Sequence, residues 1–202
     1  MQTPDAPLTV PVFAESTPLG LLGLAIGCAA LTPVALGQAV TPDALRTAAW
    51  FCLLFGGGGQ FLAGVMALAN KNLLGGTLFT TFSFNWVMNW WALSELSQGR
   101  VPNGSVVFAV DVCFLVVFVV LTYAFGFFSK LLFVFLLDID VLYILRIVRE
   151  LTHARQLGMG LAACTVALGA IALWIAFGLL VNPTAGRDVF KIPGPMFTPR
   201  KT

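Results

Sequence analysis

Charge is what this chain has least of. Only 10% of its 202 residues are Asp, Glu, Lys or Arg and 58% are hydrophobic, whereas about a quarter of a soluble domain is charged. So sparse a supply of charge excludes a water-wetted globular surface. Polar helix faces are missing as well, because runs such as Leu19 to Leu36 and Leu161 to Val181 are apolar all round, as lipid-embedded helices are. The net charge of +2 is spread along the chain without a basic block, which excludes nucleic acid as a partner. The four cysteines, Cys28, Cys52, Cys113 and Cys164, fall in four different apolar stretches, with no CxxC or Cys/His spacing for zinc or redox work. They read as buried apolar thiols. Nucleophile elbow, P-loop, HExxH, dinucleotide fingerprint and covalent haem motif are all missing, and no lysine lies centrally in an apolar segment to hold retinal. The expectation is therefore a protein that is not an enzyme and needs no cofactor or metal.

The apolar sequence divides at polar punctuation into six segments near 18–37, 45–69, 73–96, 105–128, 131–152 and 158–181. Each reaches the ~20 residues that cross a ~30 Å hydrocarbon core. The expected fold is an all-α integral membrane protein, six transmembrane helices in one bundle, with the lipid bilayer as its first partner. Residues 1–17 form an N-terminal segment, 18–181 the six-helix domain and 182–202 a proline-rich tail too short to fold alone. The first 17 residues carry Asp5 and Glu15 but no Lys or Arg, so they lack the positive region of a cleavable signal peptide, and the first helix is expected to stay. Six crossings put both termini on one side. Lys71, Lys130, Arg187, Lys191, Arg200 and Lys201 lie on that side, and Arg46, Arg100, Arg149 and Arg155 on the other. This balance predicts cytoplasmic termini in the cytoplasmic (inner) membrane.

Ionisable residues inside a membrane are expensive, so they are functional candidates by default. Asp111, Asp138, Asp140 and Arg146 are central enough to qualify. Asp138 and Arg146 are about 12 Å apart along one helix axis and cannot pair directly. Asp111 and Arg146 reach similar depth across the turn between the fourth and fifth segments. They read either as a structural ion pair, with Glu150 adding to it, or, with Asp140, as a proton relay. Asp138 and Asp140 lack a cation at their depth, which leaves protonation, a hydrated cavity or a neighbouring subunit's cation.

The third segment carries Thr77, Thr81, Asn85 and Asn89 at four-residue spacing. Such a polar stripe serves either as interhelical glue or as the wall of a solute pathway. Trp90 and Trp91 read as interfacial anchors, and His153, the one histidine, as a helix-terminal residue. The glycine run Gly56 to Gly59 costs about 1 kcal/mol per residue against alanine in a helix, which points to close approach of another backbone or room for a solute.

Three stretches resemble the acetate uptake transporter family, which includes the bacterial succinate–acetate permeases and the fungal acetate permeases. Glu15-Ser16-Thr17-Pro18-Leu19-Gly20-Leu21 is similar to that family's Asn-Pro-Ala-Pro-Leu-Gly-Leu at the mouth of helix 1. Phe55-Gly56-Gly57-Gly58-Gly59-Gln60, followed by Phe61-Leu62-Ala63-Gly64, is similar to Tyr-Gly-Gly-x-x-Gln-x-x-Ala-Gly in helix 2. Asn72 through Gly75, Thr77 and Phe79 to Trp86 resembles Gly-Asn-Thr-Phe-Gly-x-Thr-Ala-Phe and its following Trp, and Gly186 to Gly194 weakly resembles Gly-Arg-x-Val-Leu-Pro-x-Gly. The resemblance implies six-helix protomers assembled as a ring-shaped homo-hexamer, each with a pore for small monocarboxylates narrowed at an apolar constriction. At that constriction the family's helix 1 Phe falls on Leu24, its helix 3 Tyr on Phe82, and its helix 5 Leu on or beside Asp138.

Two departures bear on the cargo. Glu15 places an acid near a mouth that should admit anions, and an ionised Asp138 would repel acetate by about 4 kcal/mol at 4 Å and an effective dielectric of 20. The leading expectation is a transporter or channel for a small monocarboxylate, with a protonated Asp138 passing the acid or the anion plus a proton. In that reading Gly57, Gln60, Phe82, Asn85 and Asp138 carry the pathway, with Leu24, Thr81 and Asn89 beside them. Two alternatives stand: a channel for a neutral or cationic solute such as urea, an amide, ammonia or an amine, or a non-transporting sensor or assembly subunit.

Overall fold

The computed structural model describes residues 11–154 and 156–198, so Asp5, Arg155, Arg200 and Lys201 lie outside the described residues. Six helical rods account for most of them: α1 (Thr17–Ala35), α2 (Pro42–Ala69), α3 (Leu73–Ser97), α4 (Gly104–Phe125), α5 (Lys130–Thr152) and α6 (Leu157–Ala185). No strand occurs among the described residues. Four rods, α1, α2, α4 and α6, are long and apolar enough to cross a membrane by length and composition. The other two are α3, diluted by its polar stripe, and α5, diluted by its charges.

The polar punctuation of the sequence works as helix caps. Thr41, Asn72, Asn103 and Ser129 each accept a hydrogen bond from a first-turn backbone N–H, which satisfies donors that have no partner within the helix. Glu15 does the same for α1, accepting from the Thr17 N–H at 2.9 Å and from the Thr17 hydroxyl. The acid expected at the pore mouth is thus engaged at a helix N-terminus, where the helix dipole favours negative charge. His153 and Gly186 end α5 and α6 in left-handed conformations, the first in keeping with a helix-terminal role.

Consecutive helices pack side by side and α6 returns to α1, whereas α3 and α4 make no comparable backbone approach. That seam is bridged instead by rings, with Phe82 edge-on to Phe118 at 5.1 Å. Outward faces stay apolar: Val116, Val120 and Tyr123 on α4 are exposed, as a lipid-facing surface requires. Cys28 and Cys52 are buried and Cys164 half-buried, but Cys113 is exposed on the outer face of α4. The expectation of four buried thiols is corrected at that position, because every face of α4 is apolar enough to point outward.

The glycine run forms an eight-residue π-helical stretch, Cys52–Gly59, inside α2. Stretches this long are rare, and π geometry is frequent at functional sites. Here it admits neighbours to the backbone: the space beside Gly56 is filled by the Trp86 ring, and a Cβ on Gly59 would stand 3.4 Å from the Gly23 Cα of α1. The tail also folds onto the bundle. Asn182 brackets it, accepting from the Val189 and Phe190 N–H groups and donating to the Phe190 carbonyl. Farther on, Phe197 lies against Tyr123, Phe127 and Phe133 at the α4–α5 turn.

Candidate functional site

Inside the bundle a cavity of about 230 Å3 lies between α1, α3, α5 and α6, far more than the ~10–15 Å3 one water needs. α3 contributes Phe82, Asn85, Trp86 and Asn89, and α5 contributes Ile139, Leu142, Tyr143 and Arg146. Both sets recur at three- and four-residue spacing, the period of one helical face. Leu31, Val34, Leu161 and Leu168 make the remaining wall mostly apolar. The helices least like simple membrane spans are therefore two of those that wall the cavity.

Phe82, Ile139 and Leu168 are nearly fully buried in this wall and form an apolar floor. Leu24 is completely buried and belongs to the same core, without lining the cavity. The Phe82 ring is held by Phe118 and by Trp86, whose centroid lies 6.1 Å away. Trp86 sits in a notch of small residues, since a Cβ on Gly27 would come within 2.8 Å of it. Among the described residues, the buried Trp86 Nε1 and Tyr143 hydroxyl have no hydrogen-bond partner.

Of the polar stripe, only Asn85 and Asn89 reach this wall; Thr77 is exposed and Thr81 half-buried elsewhere. A four-residue repeat on a helix of 3.6 residues per turn drifts by about 40° per step, so the stripe cannot keep one bearing over its length. Gly57 and Gln60 are buried in α2 away from the cavity. The Val87 side chain stands 3.5 Å from where a Cβ on Gly57 would be, and the Gln60 Oε1 is unpaired.

Asp138 is not in the cavity wall either. The inward face of α5 runs through Leu136, Ile139 and Tyr143, and Asp138 is about 100° off Ile139 on the helix. It is half-buried beside the Cys164 thiol of α6, with Oδ2 lacking a partner. Ile139, which sequence reasoning passed over for its acidic neighbour, is the residue α5 places at the floor. Asp140 points the other way and accepts a 2.7 Å hydrogen bond from the Thr122 hydroxyl of α4. Asp111 and Arg146 are brought together, Nε donating to Oδ2 at 3.0 Å. The Arg146 guanidinium also lies 5.6 Å from the Tyr143 ring centroid, within cation–π range. Asp140 is not part of this pair, so the three residues do not form one cluster.

The sequence matches no family model and no curated protein. Among solved structures, the bacterial acetate channel SatP is similar to this chain, with a TM-score of 0.79 and 22% sequence identity over 89% of this chain and 99% of that one. The likeness agrees with the resemblance read from the glycine run and the third segment. At that identity it establishes a shared fold, that of a bacterial acetate channel, across nearly the whole chain.

Proposed function

We propose that this chain is a membrane channel or transporter for a small monocarboxylate such as acetate. The observation that carries this reading is the composition of the cavity wall: amide donors from Asn85 and Asn89, an apolar floor at Phe82 and Ile139, and no carboxylate. Asp138, Asp140 and the neutral stripe are what favour a neutral or cationic cargo; of these, only Asn85 and Asn89 of the stripe line the cavity, while Asp138 lies beside Cys164 and Asp140 faces Thr122. The shared fold supports the reading independently. We further propose that all six helices span the cytoplasmic membrane, with cytoplasmic termini, and that the apolar outer faces include the contacts of a ring-shaped homo-oligomer, a hexamer by resemblance. No chemistry on the cargo is proposed; the protein acts by selection and passage.

Uptake into proteoliposomes tests the reading, comparing labelled acetate with urea and methylamine at acid and at neutral pH. Saturable acetate uptake above the leak of protein-free liposomes is expected, and uptake of urea or methylamine alone would sink the proposal. In the same assay Asp138→Leu is expected to leave the preference for acetate over methylamine unchanged, because the side chain lies outside the cavity wall. A reversal of preference on that substitution would return Asp138 to the pathway.

A further inference from the structure

Two more cavities adjoin the first. One, of about 200 Å3, opens at the α3–α4 seam and is lined by Asn85, Asn89, Asn103, Asp111 and Arg146 among apolar residues. The other, of about 380 Å3, is a polar vestibule between α4 and α5 lined by Asp111, Arg146, Arg149, Glu150 and His153. Arg146 lines all three. Asp111 borders the outer two and is absent from the inner one, and among the described residues Arg146 is the sole formally charged residue in the wall above Phe82.

The hydrogen bonding of Arg146 makes that position informative. Asp111 engages Nε alone, and among the described residues the two terminal nitrogens have no hydrogen-bond partner. A guanidinium serving only to neutralise Asp111 would gain most from a bidentate pair, in which two parallel N–H groups meet both carboxylate oxygens. A single-nitrogen contact leaves a planar fork free, and the side chain retains partial exposure. Beside it stand the amides of Asn85 and Asn89, the latter donating one N–H to the Asn85 carbonyl at 3.1 Å, and two unpaired donors in the same wall, on Tyr143 and Trp86. Among the described residues the inner wall carries donors, one positive charge and no acid, with Asp111 and Glu150 confined to the outer cavities, and such a wall is complementary to a small anion.

We infer that Arg146 is the carboxylate anchor of this chain, binding the cargo's carboxylate through its terminal nitrogens where the three cavities meet, while Asp111 orients the guanidinium from behind through Nε. The inference rests on the monocarboxylate reading above and deepens it: the cargo is bound as the anion, at a fixed site above the Phe82 floor. Asp111 then competes with the cargo for the same positive charge, which gives the two partners opposite roles.

Equilibrium binding of labelled acetate to the purified protein in nanodiscs, beside proteoliposome uptake, tests it. Asp111→Asn is expected to tighten acetate binding severalfold by leaving the guanidinium uncompensated. Arg146→Gln is expected to weaken it about tenfold or more, the range of a lost hydrogen bond to a charged group. Should Arg146→Gln misfold because Asp111 is left buried and unpaired, the neutral double variant Asp111→Asn/Arg146→Gln carries the test and is expected to bind as weakly. Propionate should displace acetate from the wild type, and acetamide, its neutral isostere, should not. A purely structural pair gives another pattern: both single variants weaken binding alike and the neutral double variant recovers it, which overturns the inference. Wild-type acetate uptake that persists unchanged in the double variant defeats the anchor alone, whereas a wild type that neither binds nor moves a carboxylate defeats the underlying reading as well.

Discussion

Gly23→Ala is expected to cost this protein more stability than any other single methyl addition along α1. The added Cβ would overlap the Phe55 carbonyl oxygen, and the Gly59 Cα stands 3.4 Å away. Both obstacles are backbone, so no rotamer change relieves the overlap, and α1 and the π-helical stretch must separate. Overpacking usually costs about 1–3 kcal/mol, and an obstacle that cannot move puts this site at the upper end, a fall in unfolding midpoint of roughly 6–12 °C for a chain of this length. Gly58→Ala is the control. Its Cβ would meet nothing nearer than the Leu53 carbonyl at 3.7 Å, and it gains up to about 1 kcal/mol of helix propensity. Thermal unfolding of the two variants in detergent, followed by helical circular dichroism, makes the comparison. Equal midpoints would mean that α1 and the glycine run are not in close contact.

That contact shows how far the sequence could be read. Four consecutive glycines in an apolar segment announce close approach, because their helix cost must be offset by something, and α1 with Trp86 supplies it. The π geometry gave no such notice, since a run that is apolar all round has the same pattern with four-residue or five-residue hydrogen bonding. A short turn and the 1.5 Å rise of a helix suffice to bring Asp111 opposite Arg146. Bearing around the helix was harder. On α5, where apolar residues occupy nearly every face, apolar periodicity does not distinguish Asp138 from Ile139 as the inward position, yet one step rotates the side chain by about 100°. The same loss of bearing made the α3 stripe look continuous when only its asparagines reach the cavity. A usable signal did exist, in that Ile139, Tyr143 and Arg146 share three- and four-residue spacing and end on a charge that needs space or a partner. The docking of the tail depends on Asn182 reaching backbone groups seven and eight residues on, a loop closure that spacing alone does not reveal.

Phe82→Ala is expected to raise carboxylate flux by about tenfold or more, which corresponds to a barrier lowered by only ~1.4 kcal/mol. The floor of the cavity is closed by this ring together with Ile139 and Leu168, and an anion crossing it must shed water with no polar group to replace it. Desolvation of an ion costs several kcal/mol even after relaxation, so removing the ring is expected to lower the barrier that the proposed path meets at this floor. The gain should grow with cargo size, propionate and butyrate gaining more than acetate, because the ring limits width as well as hydration. Stability falls at the same time: the contacts with Phe118 and Trp86 are lost, and truncating a buried Phe costs about 3–5 kcal/mol in a soluble core. Phe82→Leu separates the two effects, keeping an apolar floor and much of the packing while narrowing the gain in flux. Uptake of all three acids into liposomes carrying equal amounts of folded protein is the measurement. If Phe82→Ala and the wild type pass acetate at the same rate, the cargo does not cross at Phe82, and the route must instead run through the α3–α4 seam, where Arg146 already lines the second cavity.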